Sequence, residues 1–427
     1  MFYNYLLASW GTSGNLNPIL TAGRQLRHNG HRVRVMADPA MRSEVEAANF
    51  DFVTWRRAPT GTAADPTDFS NMKDWMRQAI FDPAAAYAAD IYDEIWRVPT
   101  DAVLCIDMLF GVVLGAEAAG IPFAMLSPHI SIRPLPGVPP ASSGLMQPKT
   151  PEQRAEVAAV NDQLTTLLNE FLPALNEVRA GLGLNRLADV LDIFDRPDRV
   201  LLAISQAFDF KADSLPYNFR YVGPLLDEPS WSKPWRAPWS AQSDRPRALI
   251  ACSTGAQGQA GLVQRVINAM GMVDIDAVAT AGPNLNIAEL SAPQNVHLLQ
   301  SAPHGTVMKE VSLVVTQGGH GTVSRALITG LPMLILPNGR DQGDNAARVE
   351  SNGAGLRLLS TASEAEIVAA VNRLIEEPHF RAAARRLGEA MKADMEASAL
   401  VTEMEMMVAA RRRPQRVSRV GSLRGTA

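Results

Sequence analysis

Gln317-Gly318-Gly319-His320-Gly321-Thr322 has the composition of an anion cradle. It follows an apolar run, Leu313 to Val315, and precedes a helix-compatible stretch, Val323 to Thr329. A glycine turn between a buried strand and a helix leaves backbone N–H groups free at a helix N-terminus, where the dipole favours a phosphate. Gly330-Leu331-Pro332 then closes the helix, Met333 to Leu336 supplies a second buried strand, and the polar pair Asp341-Gln342 begins another helix. Asp107 ends the apolar run Asp101 to Ile106. A carboxylate at the C-terminal edge of a parallel strand lies where ligand crevices open; as a purely structural residue it would cap the helix starting near Phe110. The two roles are compatible. His129 follows the run Ile121 to Leu126 and stands as an alternative base, an acceptor contact or a structural hydrogen-bonder. Ser253 and Thr254 open a small-residue turn after the strand Arg247 to Cys252, where they would bond an anion or cap a helix.

These residues need a frame of parallel strands. Tyr3 to Trp10 reads as the first strand and Gly11 to Gly14 as a turn. Pro18 is expected to open a helix running to about Asn29, and Arg32 to Ala37 is the second strand. This βαβ start predicts a nucleotide-binding-like α/β domain. A dinucleotide G-x-G-x-x-G fingerprint is lacking, which weighs against an NAD or FAD enzyme. Residues 225–246 hold four prolines and three tryptophans without helix or strand period, the pattern of a linker. The turn-rich residues 57–80 and proline-rich residues 127–152 are expected to be loops shaping a pocket. Trp75, Met76, Phe81 and Met108 are candidates for its apolar lining, with core packing the ordinary use of each.

Length and composition bound the rest. A chain of 427 residues with 47% hydrophobic and 20% charged residues supports two domains with large cores. Forty basic against 44 acidic side chains, a net charge of −4, give no electrostatic case for nucleic acid. Cys105 and Cys252 both sit in apolar runs and read as buried thiols. The opening lacks a basic n-region and no apolar stretch reaches the length of a membrane span, so a cytoplasmic protein is expected.

The glycine turn and the residues after it resemble the donor box of the UDP-sugar-type glycosyltransferases: His-x-Gly-x-x-Ser/Thr, then Gly-Val-Pro, then Asp/Glu-Gln. Gly319, Thr322, Gly330, Pro332, Asp341 and Gln342 match, while Gln317 stands where the family usually has histidine. The opening of the chain resembles the same family's acceptor domain. Gly14-Asn15-Leu16-Asn17-Pro18 and Gly30-His31-Arg32-Val33 occupy its pattern, and Val222-Gly223-Pro224 resembles its exit into the linker.

The resemblance implies two Rossmann-like domains facing across a cleft, the GT-B arrangement. Residues 1–224 would bind the acceptor, 225–246 would link, and 247–395 would bind the donor. Residues 396–412 would cross back to the first domain, with a basic tail at 413–427. By resemblance the diphosphate falls to Gly321, Thr322, Gln317 and His320, with Ser253 and Thr254 beside it. The nucleobase edge falls to Gln300, Ser301 and Ala302, and the sugar hydroxyls to Asp341 and Gln342, an acceptor-only carboxylate beside an amide that donates and accepts. Arg325 stands where plant members have a ribose-binding glutamate, which suits a dTDP-sugar.

The implied reaction is inverting transfer of a sugar from a dTDP- or UDP-sugar to a small, apolar acceptor, without metal or other cofactor, by a monomer or homodimer. The family's general base, a histidine or aspartate after Gly14, is here Asn15, whose carboxamide orients a hydroxyl or water but cannot take its proton. Asp107 is then expected to act as base, so that Asp107→Asn abolishes transfer while Asn15→Ala only weakens it. Two rivals stand beside this reading: a catalytically silent nucleotide-sugar-binding homologue, motivated by Asn15 and Gln317, and a sugar-nucleotide epimerase.

Overall fold

The computed structural model describes residues 2–11, 13–59, 72–226, 235–239, 243–252, 260–282 and 285–412. Two parallel sheets organise the chain. The first contains β1 (Asn4–Ala8), β2 (Arg32–Ala37), β3 (Asp51–Thr54), β4 (Ala102–Ile106), β5 (Phe123–Ser127), β6 (Arg199–Leu202) and β7 (Phe219–Tyr221), in the order β3-β2-β1-β4-β5-β6-β7. The second contains β8 (Arg247–Ala251), β9 (Asp276–Thr280), β10 (Val296–Leu299), β11 (Leu313–Thr316), β12 (Met333–Ile335) and β13 (Gly355–Arg357), in the order β10-β9-β8-β11-β12-β13. All pairings are parallel, for example Leu7 with Leu104 and Val315 with Ile250.

The central strands are short apolar runs because helices cover both their faces. Every residue of Ala102–Ile106, Phe123–Ser127 and Leu313–Thr316 is buried. Strand order reverses between β1 and β4 in one sheet and between β8 and β11 in the other. Ligands of doubly wound sheets bind outside the strand C-termini at such points. Asp107 follows β4 at the first and Gln317 follows β11 at the second.

Some local expectations shift. The first helix spans Ser13–His28, so it begins five residues before Pro18 and carries that proline inside. As the sixth helical residue Pro18 lies just past the first turn, so it forgoes the bond its N–H would make to the Gly14 carbonyl and its ring crowds that carbonyl. Asn15 consequently lies in the first turn of a helix rather than in a loop before one. The expected long helix after residue 151 is two, Pro151–Asn169 and Leu172–Gly181, with Pro173 in the first turn of the second. Trp235 and Trp239, from the linker, pack ring on ring at 5.5 Å, and Trp235 donates to Glu310 of the second domain at 2.7 Å. The closing helix Leu400–Arg412 lies on the first domain, where His31 meets Glu405 at 2.9 Å and Arg411 donates to the Gly120 carbonyl at 2.9 Å.

Candidate active site

The end of β4 carries a buried carboxylate with two partners. Asp107, 3% exposed, accepts from Ser127 Oγ at 2.7 Å and lies 3.2 Å from His129 Nε2. β5 runs beside β4 in register, Ile106 opposite Leu126, so residues just past both strand ends converge. The helix after Asp107 is capped by Leu109 without a side-chain bond. Of the two roles open to Asp107, capping is therefore not the one its carboxylate performs.

His129 has an acceptor at each ring nitrogen: the Ile130 carbonyl at 3.0 Å from Nδ1 and Asp107 Oδ1 at Nε2. Neutral imidazole has one N–H, so two acceptors select the doubly protonated ring. Burial opposes that charge, but the Asp107 charge and hydrogen bond, then the Asp341 charge and the Ile130 carbonyl, outweigh it and hold the ring at about 9 instead of 6.5. Asp341 belongs to the second domain, so His129 lies within electrostatic reach of the far wall of the cleft.

Asn15 is partly exposed and donates from Nδ2 to the Trp10 carbonyl at 3.2 Å. Its amide is thus engaged by the turn that follows β1. Trp75 is partly buried and tilts against Trp10 at 6.4 Å between ring centroids. Met108 is partly buried too, with φ of +60°. The described non-glycine residues at positive φ are Asn49, Met108, Ser142 and Arg340. Met108 and Arg340 adjoin the two cleft carboxylates, Asp107 and Asp341. Backbone in this region costs roughly 1–3 kcal/mol per residue and persists where the surroundings over-determine it, as in functional sites.

On the opposite wall, Gly318 takes φ of +102°, and a Cβ there would come within 2.7 Å of Ile335 Cγ2 and 3.0 Å of the Gln342 carbonyl. Only glycine fits this turn. Gly319 then caps the helix His320–Ile328 without a side-chain bond, and a Cβ on it would meet nothing within 4 Å. The His320 and Gly321 N–H groups at the start of that helix border this open notch, while those of Thr322 and Val323 donate to the Gly319 carbonyl. Thr322 is partly exposed beside it.

His320 does not share that exposure. Its ring is buried, 3.4 Å from Asn345 Oδ1 and 3.2 Å from Ser324 Oγ, and packs against Phe208 at 5.9 Å. Burial lowers its pKa, against the Asp341 charge and the Asn345 bond, so the ring is a neutral brace behind the turn. Gln317 is buried at 4% exposure. Asp341 is partly exposed, and Asn345 Nδ2 donates at 2.9 Å both to its Oδ2 and to the Gly318 carbonyl, fastening it to the glycine turn. Gln342 is 3% exposed and accepts from the Asn338 N–H at 2.7 Å, so its carbonyl end holds the preceding loop. Ser301 and Ala302 follow β10, and Gln300 beside them donates to the Gly282 and Leu285 carbonyls. His304, bonded to Thr280 Oγ1 at 3.0 Å, is held down at about 4 by burial and then by the Arg325 charge. Ser253 and Thr254 lie outside the described residues.

Sequence reasoning did not single out Ser127 or Asn345. Ser127 shares a strand end with His129, and Asn345 follows Asp341 by one helical turn. Both signals depend on knowing which strands are neighbours.

Known proteins resemble this chain in sequence and in fold. Residues 264–407 fit the family model described as "Erythromycin biosynthesis protein CIII-like, C-terminal domain". The chain is 29% identical over 407 residues to 4'-demethylrebeccamycin synthase of Lentzea aerocolonigenes, covering 90% of this chain and 94% of that protein. It superposes on the crystal structure of the glycotransferase of kitacinnamycin with a TM-score of 0.76 at 21% identity, covering 95% of this chain and 98% of that one. The spinosyn rhamnosyltransferase SpnG complexed with thymidine diphosphate superposes with a TM-score of 0.68 at 18% identity, over 94% and 100%. The chain thus has the two-domain GT-B fold of these glycosyltransferases and is similar to one of them in sequence over most of its length. The Asp107–His129 pair of the first domain and the Asp341 end of the second lie within electrostatic reach of each other. Among its described residues, no helix is long and apolar enough to cross a membrane.

Proposed function

We propose that this glycosyltransferase moves a sugar with inversion from a dTDP- or UDP-sugar to a small, largely apolar acceptor, using the Asp107–His129 pair to take the acceptor's proton. The observation that carries this reading is the contact between His129 and Asp107 at the end of β4 and β5, within electrostatic reach of Asp341. The pair gives the chain a histidine–carboxylate base although position 15 is asparagine. In this reading His129, the alternative base of the sequence, shares with Asp107 the role expected of the carboxylate.

In the resting protein His129 is an imidazolium. Once the pair has lost one proton to solvent, the vacated position between His129 Nε2 and Asp107 Oδ1 takes the proton of the acceptor hydroxyl or N–H as that atom attacks the anomeric carbon from the face opposite the diphosphate. The bond from carbon to the diphosphate oxygen breaks as the new bond forms. Charge developing on the leaving group meets the N–H groups at the start of the helix His320–Ile328 and the Thr322 hydroxyl, so the step calls for no metal. Asn15 orients the attacking group, Asp341 accepts from the sugar hydroxyls, and Trp75 and Met108 line the acceptor side. A thymidine diphosphate donor is favoured by the Arg325 position and by the ligand named for SpnG.

The test is to incubate the protein with dTDP- and UDP-sugars and follow nucleotide release, alone and with a panel of planar and macrocyclic acceptors. Acceptor-dependent release of dTDP or UDP is expected. Tight nucleotide binding with no release under any condition would refute transfer in favour of the silent homologue.

A further inference from the structure

The helix Gln342–Ser351 bonds both domains. Asp341 and Asn345 hold the glycine turn of the donor wall, as described above. Asp344 and Arg348, on the same side of the helix, bond the first domain. Asp344, 2% exposed, accepts the Ser142 N–H at 2.6 Å on Oδ2 and the Gly144 N–H at 2.8 Å on Oδ1. Arg348, 1% exposed, donates to Asp209 Oδ1 at 2.8 Å and lies over the Phe210 ring at 4.3 Å. Arg357 adds a bond of 2.7 Å to the Gly144 carbonyl.

The first-domain loop is shaped for this contact. Ser142 has φ of +67° and Gly144 of +61°, and the turn directs the N–H groups of both residues at one carboxylate. Gly343 and Gly144 meet backbone to backbone, so that a Cβ on Gly343 would come within 3.2 Å of the Gly144 Cα. Residues 142–144 belong to the proline-rich segment that follows His129, the loop expected from the sequence to shape the acceptor pocket.

We propose that Asp344 is a positioning residue that couples the donor site to the acceptor loop, so that nucleotide binding at the glycine turn steadies residues 142–144 and prepares the acceptor pocket. The inference rests on the glycosyltransferase reading above. The connection is continuous: Asn345 bonds both the Gly318 carbonyl and Asp341, one rigid helical turn joins them to Asp344, and Asp344 bonds the loop. A ligand that stiffens the glycine turn and Asp341 stiffens the start of this helix, and a stiffer helix holds both loop N–H groups in place.

Amide hydrogen exchange of the full chain reads this directly, with saturating dTDP or UDP as the probe and peptides covering residues 138–146 as the reporter. In the wild type, nucleotide is expected to slow exchange at this loop by about tenfold, within the usual range of coupling between sites. In Asp344→Ala the nucleotide effect on the loop falls below about twofold while nucleotide still protects the glycine turn. Gly343→Ala is the second variant. Alanine suits the helix better than glycine, so the donor domain is expected to keep its melting temperature while the added methyl displaces the loop and removes the coupling. Nucleotide binding with unchanged exchange at 138–146 in the wild type, or full coupling in both variants, overturns the inference alone. Failure of the wild type to bind either nucleotide overturns the donor reading and the inference with it.

Discussion

Asp107→Asn tests the proposed base most sharply, because the variant retains shape and removes one charge. In the wild type the Asp107 carboxylate and its hydrogen bond are the chief forces opposing the burial that would otherwise lower His129. The rise from 6.5 to about 9 corresponds to about 3 kcal/mol favouring the imidazolium, at 1.36 kcal/mol per pH unit. At pH 7 about one His129 in a hundred is then neutral and able to accept a proton. With asparagine at 107 burial dominates and the ring titrates below its ordinary 6.5, although the more distant Asp341 charge still faces it from one side and the His320 ring from another. The assay is a histidine-selective NMR titration, tractable because the chain has seven histidines, with His129→Gln assigning the signal. Initial rates of dTDP-sugar turnover from pH 6 to 10 accompany it. The wild-type rate should rise through pH 9, reaching about half its plateau there, in step with the His129 resonance. In Asp107→Asn the climb should move below pH 7, and the plateau should fall by about 10²–10⁴, the usual contribution of positioned general-base catalysis. The stability consequence has a definite sign. A pKa raised on folding adds stability that is complete below 6.5 and lost as pH rises through about 9, so the wild type's advantage over Asp107→Asn in melting temperature should disappear by pH 10. Reasoning from this geometry is refuted if the His129 resonance of the wild type titrates near 6.5, or if the variant leaves it unmoved.

Ser127→Ala removes the 2.7 Å hydroxyl bond to Asp107 and leaves a buried carboxylate oxygen short of a donor. A loss of about 1–3 kcal/mol in chemical denaturation is expected, together with a lower plateau rate; unchanged stability would show the bond to be dispensable. Gly318→Ala and Gly319→Ala should separate fold from ligand. The first forces a side chain into φ of +102° against Ile335 and should cost about 1–3 kcal/mol by thermal or chemical melting. The second places a methyl in open space and should leave melting unchanged while weakening dTDP binding several-fold by calorimetry. Equal dTDP affinity in Gly319→Ala would move the phosphate elsewhere. Asp341→Asn keeps the bond to Asn345 within reach but removes a charge facing His129, so it should raise the donor KM and lower the His129 titration point by NMR; an unchanged donor KM would take Asp341 out of the sugar site.

Much of this site was legible in the sequence because its signals are local. A buried strand, a glycine turn and a helix define the notch at Gly319 within a few residues, and the run ending at Asp107 marks a strand edge without knowledge of its neighbours. Partner choice is not local. Whether Asp107 meets Asn15, caps its own helix or binds His129 depends on β4 lying between β1 and β5, an order the chain expresses only through long-range pairing. His320 shows the converse. Its place in a glycine turn suggests a ligand contact, yet helix phase turns its ring inward to Asn345, Ser324 and Phe208.

One short helix serves both walls because a single side of it is lodged between them. Asp341, Asp344, Asn345 and Arg348 are spaced three, four and seven apart and so share that side. Along it, Asp341 and Asn345 meet the glycine turn, and Asp344 and Arg348 meet the first domain. Asp344 pays for its position, since burial pushes its carboxyl up to about 6 despite the Gly144 and Ser142 N–H groups and the Arg348 charge. A contact serving stability alone would be as well made by apolar residues of similar volume. A carboxylate held between two backbone N–H groups fixes direction as well as contact. The loop at residues 142–144 therefore takes its place from the helix that begins at Asp341.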